Sequence, residues 1–514
     1  MDNTENKSIY SKKRIVRNTL VLYVQMFLTL LVQLYVVPVL LRSLGVADYG
    51  IYNVVAGVVT MFSFVSGSLT SAAQRFMAYS IGRGDETELR NVFSYTFLIY
   101  LVIAISLCIL LEVFGVWFLN SQMEIPADRL YAANWVFHFT VIFFALEIMI
   151  IPFRADIIAH ERMNVLAYMT ISECLLKLGA AIAITFVTFD RLILYSGLLT
   201  IVAVLIVIAY WIYCRKNFIE CRSISPKWNK GTSQSLLTYS GWNIIGSLAL
   251  ILRNQGLNIV QNLFFGPVLN AAHSIAQHVQ GAVGRFVDIV YVASRPQITK
   301  LYAAGQKDMM WDLIFQSAKM AFFLMMLICI PAILEIDMVL KLWLHDVPSY
   351  TAVIAKLMML SLLVETLVNQ IIAAYQAANK IKRYQLYSST ILLLNIPLSY
   401  IVLKINPDYP QIPYLVSVVL SVAYIVSILW IAKSEVQMDV KRYLKIVMVR
   451  NAVVFLLSII MSYYACSILE PSLLRIVYTM IVSTIISVFN IWFIGLDSQE
   501  RQYVFTLIKN RIKK

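Results

Sequence analysis

LEIMIIPFRADIIAHERMNVLAY, residues 146–168, has a similar counterpart about 220 residues later in VETLVNQIIAAYQAANKIKRYQLY, residues 364–387. Each stretch places one glutamate, Glu147 or Glu365, in an apolar run that then gives way to polar and basic residues. Other landmarks keep nearly the same step: Gly45 pairs with Gly266, and Arg75 pairs with Arg295. This repeat predicts two copies of one structural unit, an arrangement typical of transporters that hold their substrate between two halves.

Composition places both copies in a membrane. The 514 residues are 60% hydrophobic and only 14% charged, with a mean hydropathy of +0.75, whereas soluble domains carry about 25% charged residues. Apolar runs of roughly 18 residues or more, long enough to cross a bilayer as helices, recur throughout the chain. The sequence therefore predicts an all-α polytopic membrane protein with about 14 transmembrane helices.

The basic residues behind the net charge of +14 are divided unevenly between the two faces of the predicted membrane protein. Most Lys and Arg residues lie in alternate loops and at both ends of the chain. The opposite face carries only Arg42, Arg129, Arg191, Lys341, Lys404 and Arg475. This asymmetry predicts cytoplasmic N- and C-termini in a multi-pass protein of the cytoplasmic membrane. It also argues against nucleic acid as a partner. The first apolar run is too long for a cleavable signal.

The repeat divides the chain into four parts. Residues 1–214 form a first lobe of six helices, and the basic stretch 215–234 is a cytoplasmic connector. Residues 235–432 form a second lobe of six helices. Residues 433–514 add helices 13 and 14 and a basic tail. Because each copy has an even number of helices, both copies enter the membrane in the same orientation, which makes this a parallel repeat.

Polar side chains follow one face of the first two helices of each lobe. We expect these residues to line a cavity; the alternative is that they hydrogen-bond between packed helices. The candidates are Gln25, Thr29, Gln33, Asn53, Asn254, Asn258, His273, Gln277 and Asp288.

Arg253 and Arg285 lie well inside helices 7 and 8. An arginine at the bilayer centre costs at least about 2.5–3.5 kcal/mol, so it normally faces water or a partner. A planar guanidinium suits bidentate binding of phosphate. The alternative for Arg285 is an ion pair with Asp288, one turn further along.

Other charged residues have less specific roles. Glu147 and Glu365 are candidates for ion or proton coupling, with hydrogen bonding to a neighbouring helix as the alternative. Arg17, Arg75 and Arg295 mark the cytoplasmic mouth, although Arg17 and Arg75 could simply reach the membrane surface. The spacing of Glu173 and Lys177 predicts an ion pair on one helix.

No enzyme or metal signature was found in the sequence. There is no GxxxxGK[ST] phosphate loop, and HERMN, residues 160–164, lacks the second histidine of a zinc helix. The 6 cysteines are scattered without a CxxC pair, so we expect neither disulfides nor a metal site. We therefore expect a non-enzyme without a cofactor.

VPVLLRSLGVADYGIYNVV (37–55), followed by SLTSAAQRFMAYSIGRGD (68–85), resembles the start of polysaccharide flippases of the Wzx type. These belong to the multidrug/oligosaccharidyl-lipid/polysaccharide (MOP) exporter superfamily, together with MATE exporters and the lipid II flippase. The resemblance covers essentially the whole chain. It implies a V-shaped pair of lobes around a cavity lined by helices 1, 2, 7 and 8.

The resemblance also implies a function. Polysaccharide members move undecaprenyl-diphosphate-linked oligosaccharide, an O-antigen or capsule unit, to the outer leaflet of the bacterial cytoplasmic (inner) membrane. Cavity arginines are thought to hold the diphosphate, a role that would fall on Arg253 and Arg285. Membrane lipids and the polysaccharide polymerase machinery are the expected partners. One departure from the pattern is that helices 1 and 2 carry no deep arginine.

Two other functions are considered. A MATE-type exporter of drugs or metabolites would be expected to centre its pocket on an acidic residue, whereas two arginines and one aspartate lie deep in helices 7 and 8. A membrane glycosyltransferase or polymerase would need large loops with catalytic carboxylates. The longest loop here has about twenty residues.

Overall fold

The computed structural model describes most of the chain. The described residues are 18–32, single positions or short runs between 35 and 59, 63–121, 125–187, 189–224, 230–265, 267–344, 347–498 and 500–502. These residues contain helices and connecting turns and no strand. In chain order the helices are α1 (Asn18–Val32), α2 (Ser63–Arg83), α3 (Glu86–Ser121), α4 (Leu130–Ala159), α5 (Met163–Phe186), α6 (Arg191–Asn217), α7 (Lys230–Phe265), α8 (Pro267–Ala303), α9 (Lys307–Trp343), α10 (Thr351–Asn369), α11 (Ile381–Ile405), α12 (Ile412–Glu435), α13 (Val440–Cys466) and α14 (Leu473–Gly495).

Length and composition separate these helices into two groups. Within the described residues, 11 helices are long and apolar enough to cross a membrane. The described part of α1 is shorter, and α2 and α8 are too polar to meet the same test. These three helices are among those predicted to line a cavity. The all-α polytopic fold is confirmed, while the total of about 14 spans stays a prediction.

Local sequence signals fix several helix ends. The Asp85 carboxylate accepts a hydrogen bond from the backbone N–H of Glu88 at 2.8 Å, which caps the start of α3. Asp190 caps α6 in the same way through the N–H groups of Leu192 and Ile193. Gly84 precedes the first cap with φ +70°, a left-handed conformation that favours glycine. These caps allow helices to follow one another closely in the chain.

Packing divides the chain into two compact units. The first contains the described residues up to Ser247 together with Arg295–Gly305, and the second contains Leu248–Ser294 and the described residues from Gln306 onward. Each of α7 and α8 therefore contributes residues to both units. The lobe boundaries predicted from the repeat stay predictions.

The repeat-equivalent helices α4 and α10 have similar neighbours within their own units. In the first unit α4 packs against α3 and α6, and in the second α10 packs against α9 and α12. A tyrosine ties two helices in each unit: the Tyr100 hydroxyl of α3 donates to the Leu69 carbonyl of α2 at 2.6 Å, and the Tyr375 hydroxyl of a short helix, Ile372–Ala377, donates to the Ile428 carbonyl of α12. The packing order thus repeats along with the sequence.

Helices α13 and α14 contact each other through small polar side chains. The buried polar residues on these two helices are Asn451, Ser458, Ser462, Thr479, Ser483, Ser487 and Asn490. The Asn490 amide donates to the Ser458 hydroxyl at 3.0 Å. The opposite face of α14 is apolar and exposed, as at Ile481 and Ile485. Small residues let membrane helices approach closely, and their polar groups hydrogen-bond across the contact.

Candidate functional site

Arg253 is the central residue of the candidate site in the second unit. Its side chain is only 16% exposed, although it lies in the membrane-spanning part of α7. The guanidinium Nη1 lies 4.0 Å from Glu365 Oε1, and Nε donates to Asn254 Oδ1 at 3.4 Å. These contacts are long for charge-assisted hydrogen bonds, which prefer about 2.7–2.9 Å. The guanidinium therefore keeps donor capacity for a further anion.

Glu365 joins three helices of this unit. It projects from α10 toward Arg253 on α7, and it accepts a hydrogen bond from the Ser421 hydroxyl of α12 at 3.2 Å. Its side chain is 26% exposed, so the carboxylate is not sealed from its surroundings. Its carboxylate therefore contributes to the charge that faces Arg253.

His273 lies in a different environment. It is 1% exposed on α8, and its Nδ1 is 2.6 Å from the Tyr414 hydroxyl. Tyr414, Leu269 and Ala276 belong to the buried apolar core around it. This environment is that of a packed and hydrogen-bonded histidine.

The other predicted residues of the second unit differ in exposure. Arg285 and Asp288 are exposed on α8, and Gln277 is half-buried. Asn258 is half-buried on α7, and its side-chain oxygen accepts no hydrogen bond from the described residues. Arg285 and Arg253 therefore share a unit, but only Arg253 has a described counter-charge in contact.

Part of the predicted lining belongs to α1, in the first unit. Gln25 and Thr29 are half-buried, and the Thr29 hydroxyl donates to the Met26 carbonyl of its own helix at 2.9 Å. Gln33, Asn53 and Arg17 lie outside the described residues.

The first unit holds a second glutamate–arginine pair, which sequence reasoning missed. Glu147 Oε2 lies 3.9 Å from Arg154 Nη2, and the Arg154 guanidinium lies 5.9 Å from the Tyr210 ring centre. The seven-residue spacing, two helical turns on one face, is the signal that would have found this pair. On neighbouring α5 the predicted ion pair is confirmed, since Lys177 Nζ donates to Glu173 Oε1 at 2.6 Å.

Arg75 and Arg295, predicted at the cytoplasmic mouth, differ in burial. Arg75 is 8% exposed, and its guanidinium lies 4.4 Å from the Phe76 ring centre, 5.2 Å from that of Tyr79 and 5.6 Å from that of Tyr239. This is a cation–π arrangement. Arg295 is half-buried on α8. Arg75 is thus packed against three aromatic rings, and its place at a cytoplasmic mouth stays a prediction.

Glu161 is the centre of a polar cluster, also at the end of the first unit predicted to be cytoplasmic. Its carboxylate accepts hydrogen bonds from Lys300 Nζ at 2.8 Å and Gln297 Nε2 at 2.9 Å. The Asn18 amide donates to its carbonyl at 3.5 Å. The backbone of Glu161 is left-handed, with φ 59°, an uncommon conformation for a non-glycine residue that is held by surrounding contacts.

A third charged cluster lies at the predicted outer end of the first unit. Arg129 donates from Nε to Asp48 at 2.8 Å and from Nη1 to Asp190 at 2.8 Å. Partial burial alone would lower the pKa of Arg129, but the hydrogen bonds and charges of Asp190 and Asp48 raise it overall. The cluster ties the start of α4 to the start of α6.

Solved structures with this fold are membrane transporters. A crystal structure of MATE in complex with MaD3S has a TM-score of 0.71 at 13% identity, covering 85% of this chain and 97% of that chain. An outward-facing multidrug resistance MATE family transporter of the MOP superfamily gives 0.70, also at 13% identity, with 85% and 97% covered. A MOP superfamily transporter from Pyrococcus furiosus gives 0.66 at 14% identity, with 84% and 96% covered, and is described as having a binding pocket of reverse polarity. The fold is therefore that of the MATE-like transporters.

The sequence identifies the family within this fold. Residues 15–301, more than half of the chain, match the family described as polysaccharide biosynthesis protein, and the chain belongs to this family. It is 21% identical over 283 residues to the uncharacterized membrane protein EpsK of Bacillus subtilis (strain 168), and the match covers 55% of each protein. The chain thus matches about half the length of this curated relative.

These findings confirm the predicted resemblance to the MOP superfamily. The family is that of polysaccharide biosynthesis proteins, and the fold, shared with MATE transporters, is that of a multi-pass membrane protein.

Proposed function

We propose that this protein is a flippase that translocates undecaprenyl-diphosphate-linked oligosaccharide from the inner to the outer leaflet of the bacterial cytoplasmic membrane by alternating access. The observation that carries the proposal is Arg253, a largely buried guanidinium in a membrane-spanning helix whose nearest carboxylate lies 4.0 Å away. The family description as polysaccharide biosynthesis protein supports this class of substrate. An O-antigen or capsule repeat unit fits equally.

Arg253 suits the diphosphate for electrostatic reasons. Arginine in hydrocarbon is costly, so its placement there favours a role with an anion or water. The long contacts of Arg253 with Glu365 and Asn254 leave donors available for phosphate oxygens. Arg285, exposed in the same unit, would bind the second phosphate or the first sugar. The half-buried amides of Asn258 and Gln277 would bind sugar hydroxyls.

Glu365 and its repeat counterpart Glu147 are the proposed coupling residues. While ionised, Glu365 competes with the diphosphate for Arg253. A proton on Glu365 would remove that competition and leave Arg253 free for the lipid headgroup. Anion binding and proton binding would then favour one another, which is a form of linkage. In this scheme Glu147 and Arg154 perform the corresponding exchange in the first unit.

Translocation needs no ATP in this scheme. The diphosphate carries about two negative charges, and a cell interior that is negative favours their outward movement by about 2.3 kcal/mol per charge per 100 mV. The polyprenyl tail remains in lipid, while only the hydrated head requires a polar route. In this scheme the protein lies in the cytoplasmic membrane with both termini inside, and polymerase machinery would use its product.

The second candidate is a MATE-type exporter, favoured by the fold of the solved structures. A cationic drug would need an accessible carboxylate at the pocket centre, and Glu365 is the residue that could supply it. In this structure Glu365 already faces Arg253. The local charge therefore favours an anionic substrate.

The test is translocation in proteoliposomes with an imposed membrane potential. Native protein, the Arg253→Ala/Arg285→Ala double variant and an exposed-arginine control, Arg383→Ala, would be compared with an undecaprenyl-diphosphate oligosaccharide. We expect native and control proteins to move the lipid and the double variant to lose at least about tenfold in rate, since a hydrogen bond to a charged group contributes roughly 1.5–3 kcal/mol. Equal rates in all three would refute the arginine assignment. Efflux of a cationic dye without lipid movement would favour the exporter.

A further inference from the structure

Five side chains with metal-binding atoms converge where α4 and α6 end. Asp156 lies in the last turn of α4 and His160 follows it, while Cys214 lies near the end of α6 and Glu220 and Cys221 follow it. The donor atoms of Asp156, His160 and Glu220 all lie within 4.8 Å of one another, and so do those of Asp156, Cys214 and Cys221. Asp156 is thus common to both sets.

Individual distances show how compact the cluster is. His160 Nε2 lies 2.7 Å from Glu220 Oε1 and 3.7 Å from Asp156 Oδ1. Cys221 Sγ lies 3.3 Å from Asp156 Oδ2. The His160 ring is held in place by stacking on Phe218, with 4.4 Å between ring centres and an interplanar angle of 9°.

Burial makes this arrangement costly without a cation. Asp156 is 0% exposed, and its Oδ1 accepts no hydrogen bond from any described residue. Glu220, a second carboxylate, is also buried at 5%. Two buried carboxylates in one cluster are unfavourable unless a positive charge or shared protons compensate them. The neighbour of Asp156 Oδ1 that could carry a positive charge is His160, whose Nε2 lies 3.7 Å away.

We propose that this cluster binds one divalent metal ion of the zinc class, with Asp156 and Cys221 as two of its ligands and the others supplied by His160, Glu220 or Cys214. Zinc accepts nitrogen, oxygen and sulfur ligands with bonds of about 2.0–2.3 Å. Adjacent donors of a tetrahedral zinc ion are therefore about 3.3–3.8 Å apart. Cys221 Sγ lies 3.3 Å from Asp156 Oδ2, and His160 Nε2 lies 3.7 Å from Asp156 Oδ1, so both separations are in this range, although on different carboxylate oxygens. The 2.7 Å contact of His160 with Glu220 would lengthen by less than about 1 Å.

Metal binding at this site would stabilise the neighbouring contact of Glu161 with α8. His160 and Glu161 are consecutive in the turn after α4, and Glu161 binds Lys300 and Gln297 of α8. An ion that fixes His160 would fix the turn that presents Glu161. The metal would therefore stabilise the contact between this turn and the end of α8, in addition to the ends of α4 and α6.

The test uses Co²⁺, which reports thiolate ligands by its absorption. Full-length protein in detergent, stripped with a chelator, would be titrated with Co²⁺ alone and then with Zn²⁺. We expect one cobalt ion per chain, a sulfur-to-cobalt charge-transfer band and its loss when zinc displaces cobalt. Cys221→Ser and Asp156→Asn should each weaken binding at least about tenfold, whereas Cys174→Ser on α5 should bind as the native protein does.

A second measurement guards against variants that fail to fold. In native protein, Zn²⁺ should protect Cys221 from alkylation after chelator treatment, read by mass spectrometry, and leave Cys174 labelling unchanged. Absence of the charge-transfer band together with absence of protection would overturn the proposal. The cluster would then be compensated by protons shared between His160 and the two carboxylates.

Discussion

Arg253 Nη1 lies 4.0 Å from Glu365 Oε1, and this pair has a counterpart in the repeat. Glu147, which occupies the position equivalent to Glu365, lies 3.9 Å from Arg154. The two arginines are not equivalent in sequence: Arg154 follows its glutamate on α4, whereas Arg253 comes from α7. Each unit thus places a guanidinium beside the repeated carboxylate by a different route.

Removing the carboxylate of Glu365 should strengthen anion binding. In Glu365→Gln the competitor for Arg253 loses its charge, and two charges 4 Å apart interact by up to about 4 kcal/mol near a protein surface. We expect affinity for a diphosphate lipid to rise roughly tenfold and transport to lose its dependence on a proton gradient. Binding to detergent-solubilised protein and flipping at two imposed pH gradients would measure this.

Glu147→Gln is the matched comparison, since it removes the equivalent carboxylate from the other unit. It should leave the affinity at Arg253 unchanged. An equal rise in both variants would show that the effect is not specific to the pair of Glu365 and Arg253.

Gly82 allows α2 to approach α8 closely. A Cβ at Gly82 would lie 2.7 Å from backbone atoms of Lys300 and 2.9 Å from the Ala303 side chain. Because backbone atoms cannot move aside cheaply, Gly82→Ala should destabilise the protein by about 1–3 kcal/mol. Thermal unfolding in detergent would show this as a lowered midpoint. Gly179→Ala, where nothing lies within 4 Å, should leave the midpoint within error, and equal midpoints would contradict the close approach.

Glu335 is the buried centre of an ion pair between α9 and α14. Its carboxylate accepts from Arg475 Nε at 2.9 Å and from the Thr479 hydroxyl at 2.8 Å, and its side chain is 5% exposed. Glu335→Gln leaves the Arg475 charge without its counter-ion, and removing one partner of a buried pair costs about 3–5 kcal/mol. Urea or thermal unfolding would measure the loss.

Asp337 provides the control two residues away. Its side chain is 63% exposed and pairs with Lys356 at 2.7 Å. Exposed ion pairs contribute about 0–1 kcal/mol, so Asp337→Asn should be nearly neutral. A loss as large as that of Glu335→Gln would mean that burial does not set the strength of these pairs.

Ser483 tests the close packing of the buried face of α14. It is 0% exposed, so Ser483→Leu should overpack its surroundings at a cost of about 1–3 kcal/mol. Ile485 on the same helix is 62% exposed, and Ile485→Leu should change little. Limited proteolysis of the α13–α14 connection and the unfolding midpoint would report the difference. Similar values for both variants would contradict the proposed role of the serines.

Sequence alone determined the class of the protein, because hydrophobic length and charge asymmetry are local properties of a chain. The apolar runs, the repeat of Glu147 in Glu365 and the Glu173–Lys177 spacing needed no knowledge of distant contacts. The same holds for the family resemblance carried by residues 37–55 and 68–85. A membrane-spanning helix can be predicted from the length and hydrophobicity of its own segment.

Only the tertiary structure brought together the residues that helix packing makes neighbours. Arg253 and Glu365 are far apart in the chain, and nothing in either segment specifies which faces meet. His160 and the cysteines gave no metal pattern in sequence, yet Asp156 and Cys221 lie 3.3 Å apart because α4 and α6 pack side by side and end together. The registry between packed helices is set by all their contacts at once, so local pattern could predict the helices but not these clusters.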